Sequence, residues 1–170
     1  EAGLRSFDRS MPEEINRVLT DQLSDLLFIT EPSARDNLLR EGVSEQRIFH
    51  VGNVMIDTLH RCQSLAVPVQ ESLAGLEERD LFLQGDNGYC VLTLHRPSNV
   101  DDGQLLEQLL ETVRMVSEKV PVIFPLHPRT RNRIAELGLQ RVIASRRIVQ
   151  LQPLGYLEML GLVSDARLVM

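Results

Sequence analysis

Apolar residues recur along this chain in two rhythms that alternate. Behind Pro12-Glu13-Glu14 stand Ile15, Val18, Leu19 and Leu23 at helical spacing, a face interrupted by Gln22. Proline suits a first helical turn and acidic residues suit its positive end. Residues 26–30 read as a short buried strand. A helix over 32–41 follows, stopped by Gly42. Residues 47–51 read as a second strand closed by Gly52-Asn53, and 54–62 as a helix. From residue 89 the alternation resumes. Strands are expected at 89–94, 121–126, 148–151 and 166–170. Helices are expected at 101–118, 130–137 and 156–163. The first of these helices carries Leu106, Leu109, Leu110, Val113 and Val116 on one face. Apolar strands that alternate with helices predict an α/β protein, with parallel sheets covered by helices on both faces.

Residues 64–88 break both rhythms. Pro68, Gly75, Gly85 and Gly88 surround a charged Glu77-Glu78-Arg79-Asp80 stretch. The organisation expected is therefore three parts: a first domain over 1–63, an interdomain connection over 64–88, and a second domain over 89–170. In open parallel sheets ligands bind beyond the carboxyl ends of the strands. Three expected strands end there in polar punctuation, at Gly52-Asn53, at His95-Arg96-Pro97 and at His127-Pro128-Arg129.

Composition narrows the partners. The chain has 170 residues, 43% of them hydrophobic, and a net charge of -6. That balance argues against nucleic acid. No apolar run approaches the roughly 18 residues of a membrane span. Cys62 and Cys90 are far apart, and Cys90 sits in an apolar run. A reducing cytoplasmic compartment is expected, with no disulfide and no metal site. Aromatic residues are only 4%, which weakens base stacking as a mode of binding.

The chemistry is concentrated at a few places. Glu1, Glu13 and Glu14 are interleaved with Arg5, Arg9 and Arg17, a mixture suited to moving protons beside an anion. Glu13 and Glu14 equally suit the helix dipole without any chemistry. His95 beside Arg96 suits phosphate binding or proton shuttling; a loop histidine bonded to backbone is the alternative. His127 is stiffened by Pro125 and Pro128 and reads first as a turn residue. His50 is expected in the core and His60 on an exposed helix face. Residues 98–102 read as a turn and helix cap. Arg129, Arg131 and Arg133 read as a solvated face. No nucleophile elbow, P-loop or dinucleotide glycine motif occurs.

Taken together, E-A-G-L-R-S, P-E-E-I-N-R, G-N-V-M-I-D-T-L, T-L-H-R-P-S-N-V-D-D, P-L-H-P-R-T and P-L-G-Y-L-E-M-L resemble the bacterial, non-hydrolysing UDP-N-acetylglucosamine 2-epimerases. The motifs stand in the family's order across nearly the whole chain. The resemblance implies parts of two Rossmann-like domains of the GT-B kind. It also implies a fragment lacking both ends of the family's length, and inactive alone. The implied reaction interconverts UDP-GlcNAc and UDP-ManNAc by elimination and re-addition of UDP, for cell-surface polysaccharide precursors. By motif, Glu1, Glu13 and His95 are the implied catalytic residues, and Arg17, Arg96 and His127 the implied substrate contacts. Arg96 and His127 also fall where some members hold a second UDP-GlcNAc as activator. No cofactor is implied, and a homodimer is implied for the full-length protein. Pro97-Ser98-Asn99 departs from the arginine and glutamate many members carry there, so a UDP-2,3-diacetamido sugar is a second candidate substrate. The rival functions are a GT-B glycosyltransferase, a non-catalytic UDP-sugar-binding fragment, and a hydrolysing epimerase.

Overall fold

The structure is a computed structural model that describes residues 1–85 and 88–170. The chain divides into two compact units, Glu1–Arg61 and Cys62–Met170.

In the first unit α1 (Pro12–Leu23) leads to β1 (Leu27–Ile29), α2 (Pro32–Arg40) and β2 (Ile48–His50). The two strands pair in parallel, with Leu27 opposite Ile48 and Ile29 opposite His50. Leu27, Ile29, Ala34, Leu38 and Val43 form the apolar centre, so α2 covers one face of the pair. The other face carries Phe28 and Phe49, 50% and 43% exposed, with ring centroids 5.9 Å apart. The expected buried strand is thus half-buried and alternates. His50, expected in the core, is exposed at the end of β2.

The helix α1 buries only part of its expected apolar face, with Ile15 and Val18 half-buried. Its buried residues are Glu14 and Asp21, whereas Leu19 and Leu23 are 56% and 84% exposed. Helical spacing of apolar residues identifies a face but not its partner. Here the inward face meets backbone donors and a guanidinium, so acids occupy it. α3 (Val54–Gln63) has no buried residue, and the division between the units falls within it.

The second unit holds a four-stranded parallel sheet. Its strands are β3 (Cys90–Val91), β4 (Val122–Pro125), β5 (Ile148–Leu151) and β6 (Leu168–Val169), in the order β5-β4-β3-β6. Further bonds from Leu92 to Ile123 and from Thr93 to Met170 carry the β3 ladder onward. The apolar strands still sort their side chains with period two. Cys90, Leu92, Leu94, Val122, Phe124 and Ile148 face one layer; Tyr89, Val91, Ile123, Val149 and Leu151 face the other. The first layer is closed by α7 (Gly103–Ser117), α8 (Pro128–Glu136) and a 3₁₀ turn over Leu139–Ile143. Burial pushes the Cys90 thiol up to about 11, as befits a packing residue.

The second layer draws in part of residues 64–88, expected as a connection. α4 (Val69–Ser72) and α5 (Arg79–Leu83) place Val69, Leu73 and Phe82 on that face of the sheet, together with Leu162 from α9 (Tyr156–Ser164). Residues 86–87 of the stretch lie outside the described residues. A parallel sheet must be covered on both sides, and this segment supplies the second cover. The fit against α9 is tight: Val67 N–H donates to Leu157 O at 3.1 Å, and a β-carbon on Gly161 would lie 1.8 Å from Val67 O. Gly161→Ala is expected to destabilise the chain by about 3 kcal/mol, the upper range of overpacking costs. Urea unfolding measures it, and a stability unchanged from wild type would contradict this account of the contact.

Candidate functional site

In the first unit the opening residues lie along β1. Ala2 N–H donates to Phe28 O at 3.2 Å, Gly3 N–H donates to Asp21 Oδ2 at 2.9 Å, and Asn37 Nδ2 donates to Gly3 O at 3.0 Å. Gly3 has φ +77°, and a β-carbon there would lie 2.4 Å from Ala34 O. These bonds seat Glu1 at a surface cavity of about 400 Å³ bordered by Asn16, Arg17, Thr20 and Phe28. Arg17 is 41% exposed. Glu13 is exposed in the first turn of α1, one turn before Arg17 on the same side of the helix. The cavity therefore joins Glu1 to Arg17, and helical spacing adds Glu13 beside it.

The other arginine of the opening motif does different work. The Arg5 side chain is 1% exposed. It donates from Nε to Glu41 Oε1 at 2.8 Å and from one terminal nitrogen to Glu41 Oε2 at 2.7 Å. That same nitrogen lies 2.8 Å from Asp21 Oδ2, and the other terminal nitrogen donates to Leu4 O at 2.8 Å. The hydrogen bonds to Glu41 lead in raising the pKa of this guanidinium. Arg5 is fully engaged and leaves no fork for a ligand anion. Glu14 is also turned inward. It accepts from Ser6 N–H at 2.9 Å and Phe7 N–H at 3.0 Å, and the Ser6 bond leads in holding its carboxyl below the usual range. Neighbouring glutamates have thus separated, with Glu13 outward and Glu14 holding backbone.

In the second unit His95 follows β3 and His127 follows β4. Both are exposed, with ring centroids 6.2 Å apart. They share a cavity of about 250 Å³ with Thr93, Pro153, Leu154 and Met159. It lies beyond the carboxyl ends of β3, β4 and β5, where an open parallel sheet takes its ligand. His127 caps α8: its Nδ1 accepts from Arg129 N–H at 3.2 Å. That leaves the proton of the neutral ring on Nε2, available to donate. Arg96 is exposed as the residue before α6 (Pro97–Val100).

Three contacts hold these two strand-end loops together. Thr130 is fully buried and donates from Oγ1 to Leu94 O at 2.5 Å. Arg129 forks onto Asp101 at 3.0 and 2.5 Å. Arg133 donates to Asp101 O at 2.9 Å. Of the arginines read from sequence as a solvated face, Arg129 and Arg133 keep much of their exposure and also clamp this loop to α8. Their spacing at i and i+4 signalled a shared helix face, but Asp101 as its partner was not visible in the order of residues. Asp102 caps α7, accepting from Gln104 and Leu105 N–H, as the turn-and-cap reading expected.

The site residues thus fall into two clusters: Glu1, Glu13 and Arg17 in one unit, and His95, Arg96 and His127 in the other. Among the described residues no group of three or more His, Cys, Asp or Glu is placed to hold a metal, and no helix is long and apolar enough to cross a membrane.

Parallel strands in this order, with polar residues gathered past their carboxyl ends, define a Rossmann-like α/β protein. Comparison with known proteins makes the class specific. The model of the UDP-N-acetylglucosamine 2-epimerase family matches residues 1–170, and the chain belongs to that family. UDP-N-acetylglucosamine 2-epimerase of Methanocaldococcus jannaschii is 41% identical over 173 residues, covering 100% of this chain and 46% of that protein. UDP-2,3-diacetamido-2,3-dideoxy-D-glucuronate 2-epimerase of Pseudomonas aeruginosa is 42% identical, covering 100% of this chain and 44% of that protein. A crystal structure of the Methanocaldococcus jannaschii enzyme in complex with UDP-GlcNAc and UDP superposes with a TM-score of 0.78 at 40% identity, covering 99% of this chain and 46% of that one. The chain spans about half the length of the curated relatives it matches.

Two substitutions probe the supports of the two clusters. Arg5→Ala leaves two acids without their buried cation and is expected to cost about 3–5 kcal/mol of stability in urea unfolding. Thr130→Val orphans a buried carbonyl and is expected to cost about 1–3 kcal/mol. It should also shift the imidazole resonances of His95 in NMR spectra, whereas Thr130→Ser should keep both near wild type. Equal losses from Val and Ser would count against the hydroxyl as the tie.

Proposed function

We propose that this chain is part of an epimerase that interconverts UDP-GlcNAc and UDP-ManNAc at carbon 2 of the sugar. The observation that carries the reading is the pair His95 and His127, 6.2 Å apart beyond the carboxyl ends of adjacent parallel strands, in a chain matched throughout by the epimerase family. Loops at that edge suit a diphosphate, because imidazole and guanidinium groups can donate to its oxygens.

The reaction has two demands. A carboxylate must take the weakly acidic hydrogen from carbon 2. The departing diphosphate must be stabilised as negative charge develops on it. In the proposed elimination, a glutamate of the Glu1 and Glu13 set removes the carbon-2 proton as the bond from carbon 1 to the UDP oxygen breaks. A 2-acetamidoglucal and UDP result. Re-addition delivers a proton to the other face of carbon 2 while the UDP oxygen re-forms its bond to carbon 1. Atoms and charge balance without an external reagent. Arg17 supports the carboxylate cluster as a cation at the Glu1 cavity. His95 assists the departure of UDP. Arg96 and His127 contact substrate or a second, activating UDP-GlcNAc. The protein acts in the cytoplasm as a homodimer.

The Pseudomonas aeruginosa relative favours a second substrate within the same chemistry, a UDP-2,3-diacetamido uronate, since its identity of 42% stands beside the 41% of the Methanocaldococcus jannaschii enzyme. Proton NMR of UDP-GlcNAc in deuterium oxide, with the polypeptide at the full length of its relatives, tests the reading. Deuterium at carbon 2 and growth of UDP-ManNAc signals are expected, and Glu13→Gln should slow exchange by about 100-fold or more, the scale of a lost proton-transfer group. Free ManNAc and UDP would mean a hydrolysing enzyme. Absence of exchange with both UDP-sugars would overturn the epimerase.

A further inference from the structure

Phe7 stands in the left-handed backbone region, with φ 59°. A β-carbon crowds its own carbonyl there, and a bulky residue in that region is an outlier. Every other left-handed position among the described residues is a glycine: Gly3, Gly42, Gly52, Gly75, Gly88 and Gly138. Packing does not compensate for the strain. The Phe7 ring is 71% exposed and belongs to none of the apolar clusters.

What holds the conformation is the buried Glu14 carboxylate, 3% exposed, which accepts from the N–H groups of both Ser6 and Phe7. The strain is therefore over-determined by a polar group that could have stayed in water. Strain maintained in this way is typical of functional positions. Phe7 lines two hollows. One, of about 450 Å³, also has Arg9 and Val18 in its walls. The other, of about 500 Å³, also has Arg17 and Ser33. Arg17 in turn borders the cavity of Glu1. An outward aromatic face beside guanidinium groups fits a ligand with an apolar ring face and an anionic part. A hexose carrying a diphosphate has both: C–H groups for the aromatic face and phosphate oxygens for the cations.

We propose that Phe7 is a specificity-determining residue for the sugar, its ring held outward by the Glu14 carboxylate to form an apolar wall against the hexose of the nucleotide sugar. Glu14 is the positioning residue, acting through Phe7. The inference rests on the function proposed above and names a contact within it.

Strain and function make opposite demands at this position, which gives the test its sign. Phe7→Gly relieves the left-handed strain but removes the wall; Phe7→Tyr keeps the ring. Using the polypeptide at the full length of its relatives, thermal midpoints and calorimetric titrations with UDP and with UDP-GlcNAc are measured for wild type and both variants. Phe7→Gly should keep or raise the midpoint and hold UDP affinity within about twofold, yet bind UDP-GlcNAc about tenfold more weakly. Phe7→Tyr should bind UDP-GlcNAc within about threefold of wild type. Undiminished UDP-GlcNAc affinity in Phe7→Gly overturns the contact, as does a loss of midpoint and of both ligands together, which would mark a role in folding. If wild type takes up neither ligand, the function itself falls and this contact with it.

Discussion

A parallel sheet projects apolar side chains to both faces, so each of its faces needs a cover. That constraint organises the second unit. Cys90, Val122 and Phe124 meet α7 and α8 on one side, while Tyr89, Val91 and Ile123 meet α4, α5 and α9 on the other. It explains why a glycine- and proline-bearing segment is held down instead of spanning freely. It also explains the glycine at 161, where α9 approaches the backbone of Val67 too closely for any side chain. With both faces closed, the strand ends are fixed, and the loops after β3 and β4 have only short lengths in which to place His95 and His127.

The first unit relies on a buried charge cluster as much as on apolar contact. Arg5 sits between Asp21 and Glu41 with almost no exposure, and Asp21 also accepts from Gly3 N–H. One guanidinium thereby ties the opening loop to α1 and to the end of α2. Breaking such a group leaves unpaired buried charge, which costs far more than the intact group contributes. The consequence for chemistry is direct: the loop that carries Glu1 is set by Arg5, while Arg17, 3.9 Å from the Glu14 carboxylate, borders the cavity.

Polar ties recur wherever the candidate site needs placing. Thr130 to Leu94, and Arg129 and Arg133 to Asp101, join segments far apart in sequence, while His127 caps its own helix. Each is a short-range interaction with strict geometry, so each fixes an orientation that apolar packing leaves loose. The candidate catalytic groups, Glu1, Glu13 and His95, are exposed, and the neighbours that position them are buried or engaged.

Much of this was legible in the order of residues. Strand–helix alternation determined the α/β class, because apolar periodicity is a local property of the chain. The caps at Asp102 and Gly42, the buried thiol of Cys90 and the strand-end placement of both histidines followed from local rules as well. The facing of α1 was only partly legible, since Leu19 and Leu23 of its apolar stripe stay exposed while Glu14 and Asp21 are buried. The packing of residues 64–85 was not legible, because their glycines and prolines are local signals while the sheet face they cover is a distant partner. Asp101 for Arg129, and Glu41 with Asp21 for Arg5, are contacts across 28, 36 and 16 residues. Sequence alone determined which elements form and which chemistry they carry. Tertiary structure decided which of two adjacent glutamates turns inward and which arginine is enclosed, because burial and pairing depend on neighbours brought together only by folding.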